Sequence, residues 1–354
     1  MLPRHAPKGL AVATVAVALL APAAAHAATK TVYAGPPVAK AQNLAPDAVG
    51  NAFYPRTIKV RQGDKVAFKI GGFHDVVFAA KGQKLPAFHV PDPAKPVAGA
   101  TDANGAAYWF NGQPGWFIDP VNVLPTGDGV IDGKAVDGSG VFQGQGAPPD
   151  YVATFSKKGT YRYVCTIHPG MKGKVQVVSK HAKAPSKKQD AKTVDKQIGR
   201  TVKLAAKLDA EQITGNVVRA GNDRKEVAFL RFFPGERTVK AGETVSFQMS
   251  KRTTEIHNVV FGTPELTADA ASRFIAIGAN GIGYDPFSVY PSDQGTIAYD
   301  GTNHGNGLIN LGLMDADPTT SLPASEQVTF PTAGTYTFIC TVHGPSMHGT
   351  IRVV

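Results

Sequence analysis

From Tyr54 to Phe78 the chain reads YPRTIKVRQGDKVAFKIGGFHDVVF: an alternating run, a Gly-Asp turn, a second alternating run, then a histidine just before Val-Val-Phe. From Phe233 to Phe261, FPGERTVKAGETVSFQMSKRTTEIHNVVF repeats the succession with Gly-Glu at the turn. Alternation with period two, bounded by Gly and polar residues, predicts half-buried strands in hairpins. Further on, GTYRYVCTIHPGMKGKVQVV (Gly159 to Val178) matches GTYTFICTVHGPSMHGTIRVV (Gly334 to Val354), each predicting two strands around a short loop. The middles echo as well, Asp119 to Pro125 against Asp285 to Pro291. An internal repeat of this length with strand patterning predicts two copies of one all-β domain.

Between the copies the pattern changes. A Pro/Ser/Lys-rich stretch after Ser179 reads as a flexible linker. Val194, Ile198, Val202, Ala205 and Leu208 then recur at helical spacing with lysines opposite, which predicts a short amphipathic helix, although Gly199 lies inside it. Each copy also carries a Gly/Asp/Pro-rich insert, Ala79 to Pro149 and Gly262 to Pro323. Both tryptophans, Trp109 and Trp116, fall in the first. They read either as a small core under a long loop or as a docking surface. The runs DGKAVDGSG and DGTNHGNG lack the spacing of a calcium loop and read as turns.

At 354 residues the chain can bury two cores, and 43% hydrophobic with 18% charged residues is the balance of a folded protein. The start has the form of a secretory signal: basic Arg4 and Lys8, an apolar run from Gly9 to Ala21, and small residues around Ala25 and Ala27. The expected layout is a signal peptide 1–27, a first domain 28–179, a basic linker and helix 180–212, and a second domain 213–354. The net charge of +10 does not mark a nucleic-acid binder, because Ser179 to Asp209 alone holds nine Lys or Arg against three Asp. That segment reads as a solvated connector, with contact to an anionic envelope surface as the alternative.

The chain has two cysteines. In an exported protein a disulfide is the first reading. Their equivalent positions in two separate repeats argue against it, since pairing would require both domains to open. A lone buried thiol leaves unexplained why each Cys is followed at the third position by His, and shortly after by Met. It also leaves unexplained the histidine about ninety residues upstream, His74 or His257. A metal explains all of these. Thiolate and thioether are soft ligands, imidazole suits copper, and two His, one Cys and a weak axial Met are the donors of a blue copper site. Zinc prefers four stronger ligands.

On CTIHPGM, CTVHGPSM and the segment His257-Asn-Val-Val-Phe261, both copies resemble cupredoxins of the plastocyanin, amicyanin and pseudoazurin kind. The likeness covers most of the chain outside the linker and inserts. It implies two Greek-key β-sandwich domains and two type 1 copper ions. The ligands would be His74, Cys165, His168 and Met171 in the first copy, and His257, Cys340, His343 and Met347 in the second. The second loop carries one more residue between His and Met, with His348 beside Met347 as a conceivable substitute. The resemblance further implies that Asp75 and Asn258 tie the ligand loops to Thr166 and Thr341. It also implies that His168 and His343 lie near the surface in an apolar patch, where electrons enter and leave.

The expected function is one-electron transfer outside the cytoplasmic membrane, with redox proteins as transient partners and no nucleic acid. Copper binding or delivery without electron transfer is the alternative. A multicopper oxidase or copper nitrite reductase needs further histidines, and the sequence has no His-x-His pair. Outside the signal segment, the remaining His89, His181, His304 and His348 are scattered and read as surface residues.

Overall fold

The computed structural model describes residues 27–141, 148–251, 255–278, 281–318 and 320–354. The signal-peptide segment falls almost wholly on residues 1–26, outside the described ones. Each repeat folds into two facing sheets. In the first, one sheet has the order Tyr151–Thr154, Lys65–Ile70, Thr29–Ala34, Phe53–Tyr54. The other runs Thr57–Arg61, Lys172–Val178, Gly159–Val164, Val77–Phe78, Asp137–Gly138. The second repeat has Phe232–Phe233, Val217–Ala220, Thr244–Met249, Ser325–Thr329, Ile297–Ala298 facing Glu236–Val239, Gly344–Val353, Gly334–Cys340, Val260–Phe261, Ile309–Asn310. Alternate residues of these strands point inward. Val32, Phe68, Phe78, Phe155 and Tyr163 fill the first core, and Val218, Phe247, Phe261, Phe330 and Phe338 the second. Each such side chain taken fully out of water contributes about 1.5–3 kcal/mol. Edge-to-face ring pairs, Phe68 on Tyr163 and Phe247 on Phe338, set the sheet spacing at equivalent places.

The repeats are joined by far more than a linker. Ala48–Gly50 of the first pairs antiparallel with Val227–Phe229 of the second. The inserts build a further sheet together: His89–Pro96 and Pro114–Ile118 continue into Gly281–Tyr284 and Ile275–Gly278 through Phe117 opposite Gly283. Two apolar clusters are mixed, with Ile118 and Val123 packed among Phe274, Tyr284 and Leu313, and Val97 and Phe110 among Val260, Phe287 and Leu308. The tryptophans belong to this seam. Trp109 Nε1 donates to the Pro291 carbonyl at 2.8 Å and Trp116 Nε1 to the Tyr290 hydroxyl at 3.1 Å. They are therefore part of a small core under the inserts and not an open docking surface, the core being shared with the other insert. The middle echo is a helical turn in both copies, Pro120–Val123 and Pro286–Val289, capped by the Asp119 and Asp285 side chains.

The helix spans Lys187–Asp209, longer than its apolar spacing suggested, and opens on a capping box of Ser186 and Gln189. Its buried stripe serves both domains. Val194 and Ile198 pack on Ala52 and Tyr54, while Ala205 and Leu208 pack on Val227, Phe229 and Phe233. The preceding stretch is not a free linker: Lys30 Nζ holds the Pro185 carbonyl at 2.8 Å and Asp190 at 2.7 Å, and Arg61 Nε holds the Ala182 carbonyl at 3.0 Å. Among the described residues no helix is long and apolar enough to cross a membrane.

Two of the histidines read as surface residues are not. His89 Nδ1 meets the Tyr284 hydroxyl at 2.7 Å, and His304 stands between Asp102 (3.2 Å) and Asp293 (3.1 Å). The His89–Tyr284 and His304–Asp102 contacts cross the seam, which the scatter of these residues along the chain conceals. His181 and His348 are exposed as expected.

Candidate metal centres

Strand pairing brings together residues about ninety positions apart. Val77 pairs with Val164, so the turn bearing His74 and Asp75 lies against Cys165 at the end of its strand. In the second repeat Val260 pairs with Ile339 and Phe261 with Phe338, which sets His257 against Cys340. The loop after Cys165 closes on itself: Cys165 N–H donates to the Met171 carbonyl at 3.0 Å, and Met171 N–H to the His168 carbonyl at 3.0 Å. In the second loop Cys340 lies opposite Gly344, and a register shift at Ile339/Cys340 absorbs the additional residue. Both cysteines are free and buried, each within its own domain core, so no disulfide links the repeats.

The donor atoms converge. In the first centre His74 Nδ1 and His168 Nδ1 are 3.0 Å apart, and Cys165 Sγ is 3.3 Å from His168 Nδ1 and 3.9 Å from His74 Nδ1. In the second, Cys340 Sγ is 3.7 Å from His257 Nδ1 and 3.5 Å from His343 Nδ1. Three donors so spaced enclose a point about 2 Å from each, the bond length of a first-row metal to imidazole. Met171 and Met347 are buried in the same clusters as their cysteines. His348 is exposed, its Nδ1 near the Pro345 carbonyl, and stands outside the second cluster. Soft sulfur and imidazole, without a carboxylate among the donors, fit copper and two type 1 sites.

The surroundings hold these rings in place. Thr166 donates its N–H to Asp75 Oδ1 at 2.7 Å and its hydroxyl to Oδ2 at 2.5 Å. Thr341 N–H donates to Asn258 Oδ1 at 2.8 Å, and Asn258 Nδ2 returns a bond to the Thr341 hydroxyl at 2.7 Å. Gly35 and Gly221, at positive φ, stand behind the first histidines; a Cβ there would come within 3.0 Å of His74 Nε2 and 3.1 Å of His257 Nε2. The Ala-Gly pair ending a strand in each copy was the signal for them.

The expectation that His168 and His343 lie near the surface is not met. Their side chains are only 5% and 13% exposed, because the two centres face one another across the domain seam. Between them lies Glu255, with Oε1 3.1 Å from His168 Nε2 and Oε2 3.6 Å from His343 Nε2. Asn51 Nδ2 of the first domain donates to the same Oε1 at 2.7 Å. Nothing in the sequence marked Glu255, since the matching position in the first copy is Gly72. An apolar cavity of about 600 Å³, walled by Pro36, Phe73, Ile167, Leu230, Ile256 and Val342, reaches both rings and this carboxylate.

Charge in the cage follows from these contacts. Burial, aided by the charge on His168, pushes His74 down to about 3. Burial would lower His168 too, but Glu255 and Cys165 outweigh it and hold the ring well above its ordinary value. His343 rises to about 10 against its burial, through Cys340 and Glu255. For Glu255 burial opposes ionisation, and the two imidazolium partners overcome it, keeping the carboxyl well below its usual range. Burial raises Cys165, whereas at Cys340 the same burial is outweighed by His343 and His257, leaving the thiol lowered to about 5. A metal must displace the protons at Nδ1 and Sγ, so uptake releases protons. The Nε2–H groups facing Glu255 remain.

Residues 42–178 and 218–354 each match the copper-binding proteins of the plastocyanin/azurin family. Amicyanin of Paracoccus versutus is 36% identical over 77 residues, 21% of this chain and 50% of amicyanin, so the chain spans half the length of that relative. Among solved structures, oxidised plastocyanin from Dryopteris crassirhizoma is 26% identical with a TM-score of 0.20, covering 39% of this chain and 99% of its own. A Cu(I) amicyanin mutant is 20% identical with a TM-score of 0.22, covering 40% and 86%. With the family matched once per repeat and a His₂Cys cluster in each, the chain belongs to the plastocyanin/azurin family of copper-binding proteins and carries that family's site twice.

Proposed function

We propose that this protein is a one-electron carrier with two type 1 copper centres, ligated by His74, Cys165, His168 and Met171 and by His257, Cys340, His343 and Met347. The observation that carries the reading is the convergence of two imidazole nitrogens and a thiol sulfur in each domain, with a methionine buried alongside. Copper in such a donor set alternates between Cu(I) and Cu(II), supplying one electron at a time. The chain's own residues make that exchange easy. The Thr166–Asp75 and Thr341–Asn258 bonds fix both ligand loops, so little moves when the charge changes. Burial of the cysteines excludes water, and with four protein donors no coordination position is left for a substrate.

The domains of this reading are Greek-key sandwiches at 28–179 and 213–354, with a signal peptide at 1–27 and the basic connector at 180–212. It places the protein outside the cytoplasmic membrane and makes it a carrier, not an enzyme. Its partners are redox proteins met transiently. Lys187, Lys188, Lys192, Lys196, Lys203 and Lys207 are exposed along the helix and suit an anionic envelope surface.

The test is the copper content and visible spectrum of the purified protein, alongside Cys165→Ser and Cys340→Ser. Two coppers per chain and an intense thiolate-to-copper band, partly lost in each variant, support the proposal. Copper bound without colour points instead to copper handling.

A further inference from the structure

We propose that Glu255 joins the two centres into a single redox unit, an imidazole–carboxylate–imidazole bridge through which an electron passes between the domains without a second protein. The inference rests on the copper reading above.

With Nδ1 of His168 and His343 turned toward the cysteines, both Nε2–H groups point outward, and they point at the same carboxylate, one oxygen each. A carboxylate has two acceptor oxygens and can serve two donors at once. The His168 contact, at 3.1 Å, is within reach of a charge-assisted bond, and the His343 contact, at 3.6 Å, is a looser electrostatic approach to the same carboxylate. The bridge is also held firmly. Glu255 belongs to the second domain, yet Asn51 of the first grips its Oε1 at 2.7 Å. Asn51 is anchored in turn by its own N–H to the Glu226 carbonyl at 2.7 Å, beside the strand pairing that joins the domains.

A buried carboxylate is costly unless its partners compensate it, and here the partners are the two ligand rings. The feature belongs to the pair, because the first copy has Gly72 where the second has Glu255. A single domain of this family offers its outer histidine edge to another protein by the resemblance noted above; in this chain each domain offers it to the other. The step moves one electron and no atoms. What one centre loses the other gains, no bond forms or breaks, and both Nε2–H protons stay on their rings.

The experiment uses the full chain loaded with two coppers, half-reduced by a light pulse, with redistribution followed in the visible. Wild type is expected to redistribute in a first-order phase independent of protein concentration. Glu255→Leu slows that phase several-fold, and the near-isosteric Glu255→Gln, which keeps a carbonyl oxygen for one ring, falls between. In the diamagnetic Cu(I) protein, slowly exchanging Nε2–H resonances of His168 and His343 are expected in wild type, with both lost in Glu255→Leu. Should Glu255→Leu not fold, Glu255→Gln carries the comparison, with the loss confined to one ring. Both blue bands kept, with unchanged rates and ring protons, would overturn the bridge alone, as would a rate proportional to protein concentration. Copper taken up without any blue band would overturn the bridge together with the reading beneath it.

Discussion

Asp75 accepts both the backbone N–H and the hydroxyl of Thr166, the residue after Cys165, where in the second centre Asn258 both accepts from and donates to Thr341. The two centres thus share a hydrogen-bonded frame and differ by a carboxylate against an amide. Negative charge close to the thiolate favours the more positive metal, so the first centre is expected to have the lower reduction potential. Spectroelectrochemistry would resolve this, each tenfold change in relative affinity for the two oxidation states appearing as about 59 mV. Asp75→Asn should raise the first potential and leave the second. Burial raises the Asp75 pKa, so on acidification the carboxyl protonates early and the gap should narrow. Equal potentials at neutral pH would contradict the argument.

Gly35 and Gly221 test how tightly the first histidines are backed. At Gly35, φ is +78° and a Cβ would lie 2.7 Å from the Gly71 carbonyl oxygen; at Gly221, φ is +71° and it would lie 2.6 Å from Asp223 Oδ1. Alanine at either should destabilise by roughly 1–3 kcal/mol. Gly35→Ala should alter the visible band of the first centre and Gly221→Ala that of the second. Unchanged spectra in both would mean that the rings are positioned from elsewhere.

His89 makes the seam sensitive to acid. Burial lowers its pKa from 6.5 to about 4. A base depressed on folding leaves the unfolded chain taking up the proton first, so stability is complete above pH 6.5 and declines as pH falls toward 4. A tenfold difference in proton affinity between the folded and unfolded chain corresponds to about 1.4 kcal/mol, which bounds the loss per pH step. In denaturant titrations of the copper-loaded protein, His89→Gln should flatten this part of the pH profile. An identical slope in the variant would assign the acid sensitivity to another group.

The helix offers two substitutions of opposite sign. Leu208→Ala removes a fully buried side chain from the cluster that ties helix to second domain, at an expected cost of about 2–5 kcal/mol. Gly199 lies inside the helix with open space around a would-be Cβ. Gly199→Ala should therefore stabilise by roughly 0.4–1 kcal/mol. Chemical unfolding curves measure both, and a Leu208→Ala protein as stable as wild type would mean that the helix is only loosely docked.

Much of the molecule was legible in the chain itself. Period-two alternation reports which face of a strand is buried, so the strands Thr57–Arg61, Lys65–Ile70, Glu236–Val239 and Thr244–Met249 could be read directly, and their repetition implied two domains. The expected hairpins did not form: each couple splits between the two facing sheets, because the turn carries the chain across the core instead of back along one sheet. The donor sets were legible for a related reason. The Cys and one His of each cluster lie within one short loop, where sequence spacing is spatial spacing, and the upstream histidine carries its own flanking Val-Val-Phe. What only the tertiary structure decided is how the repeats meet. Glu255 faces His168 across 87 residues of chain, a separation with no periodicity. Shared sheets between inserts depend on backbone pairing, which loop composition does not encode. Local pattern records what each residue does with its neighbours along the chain, whereas the facing of the two centres is set by packing between surfaces far apart in sequence.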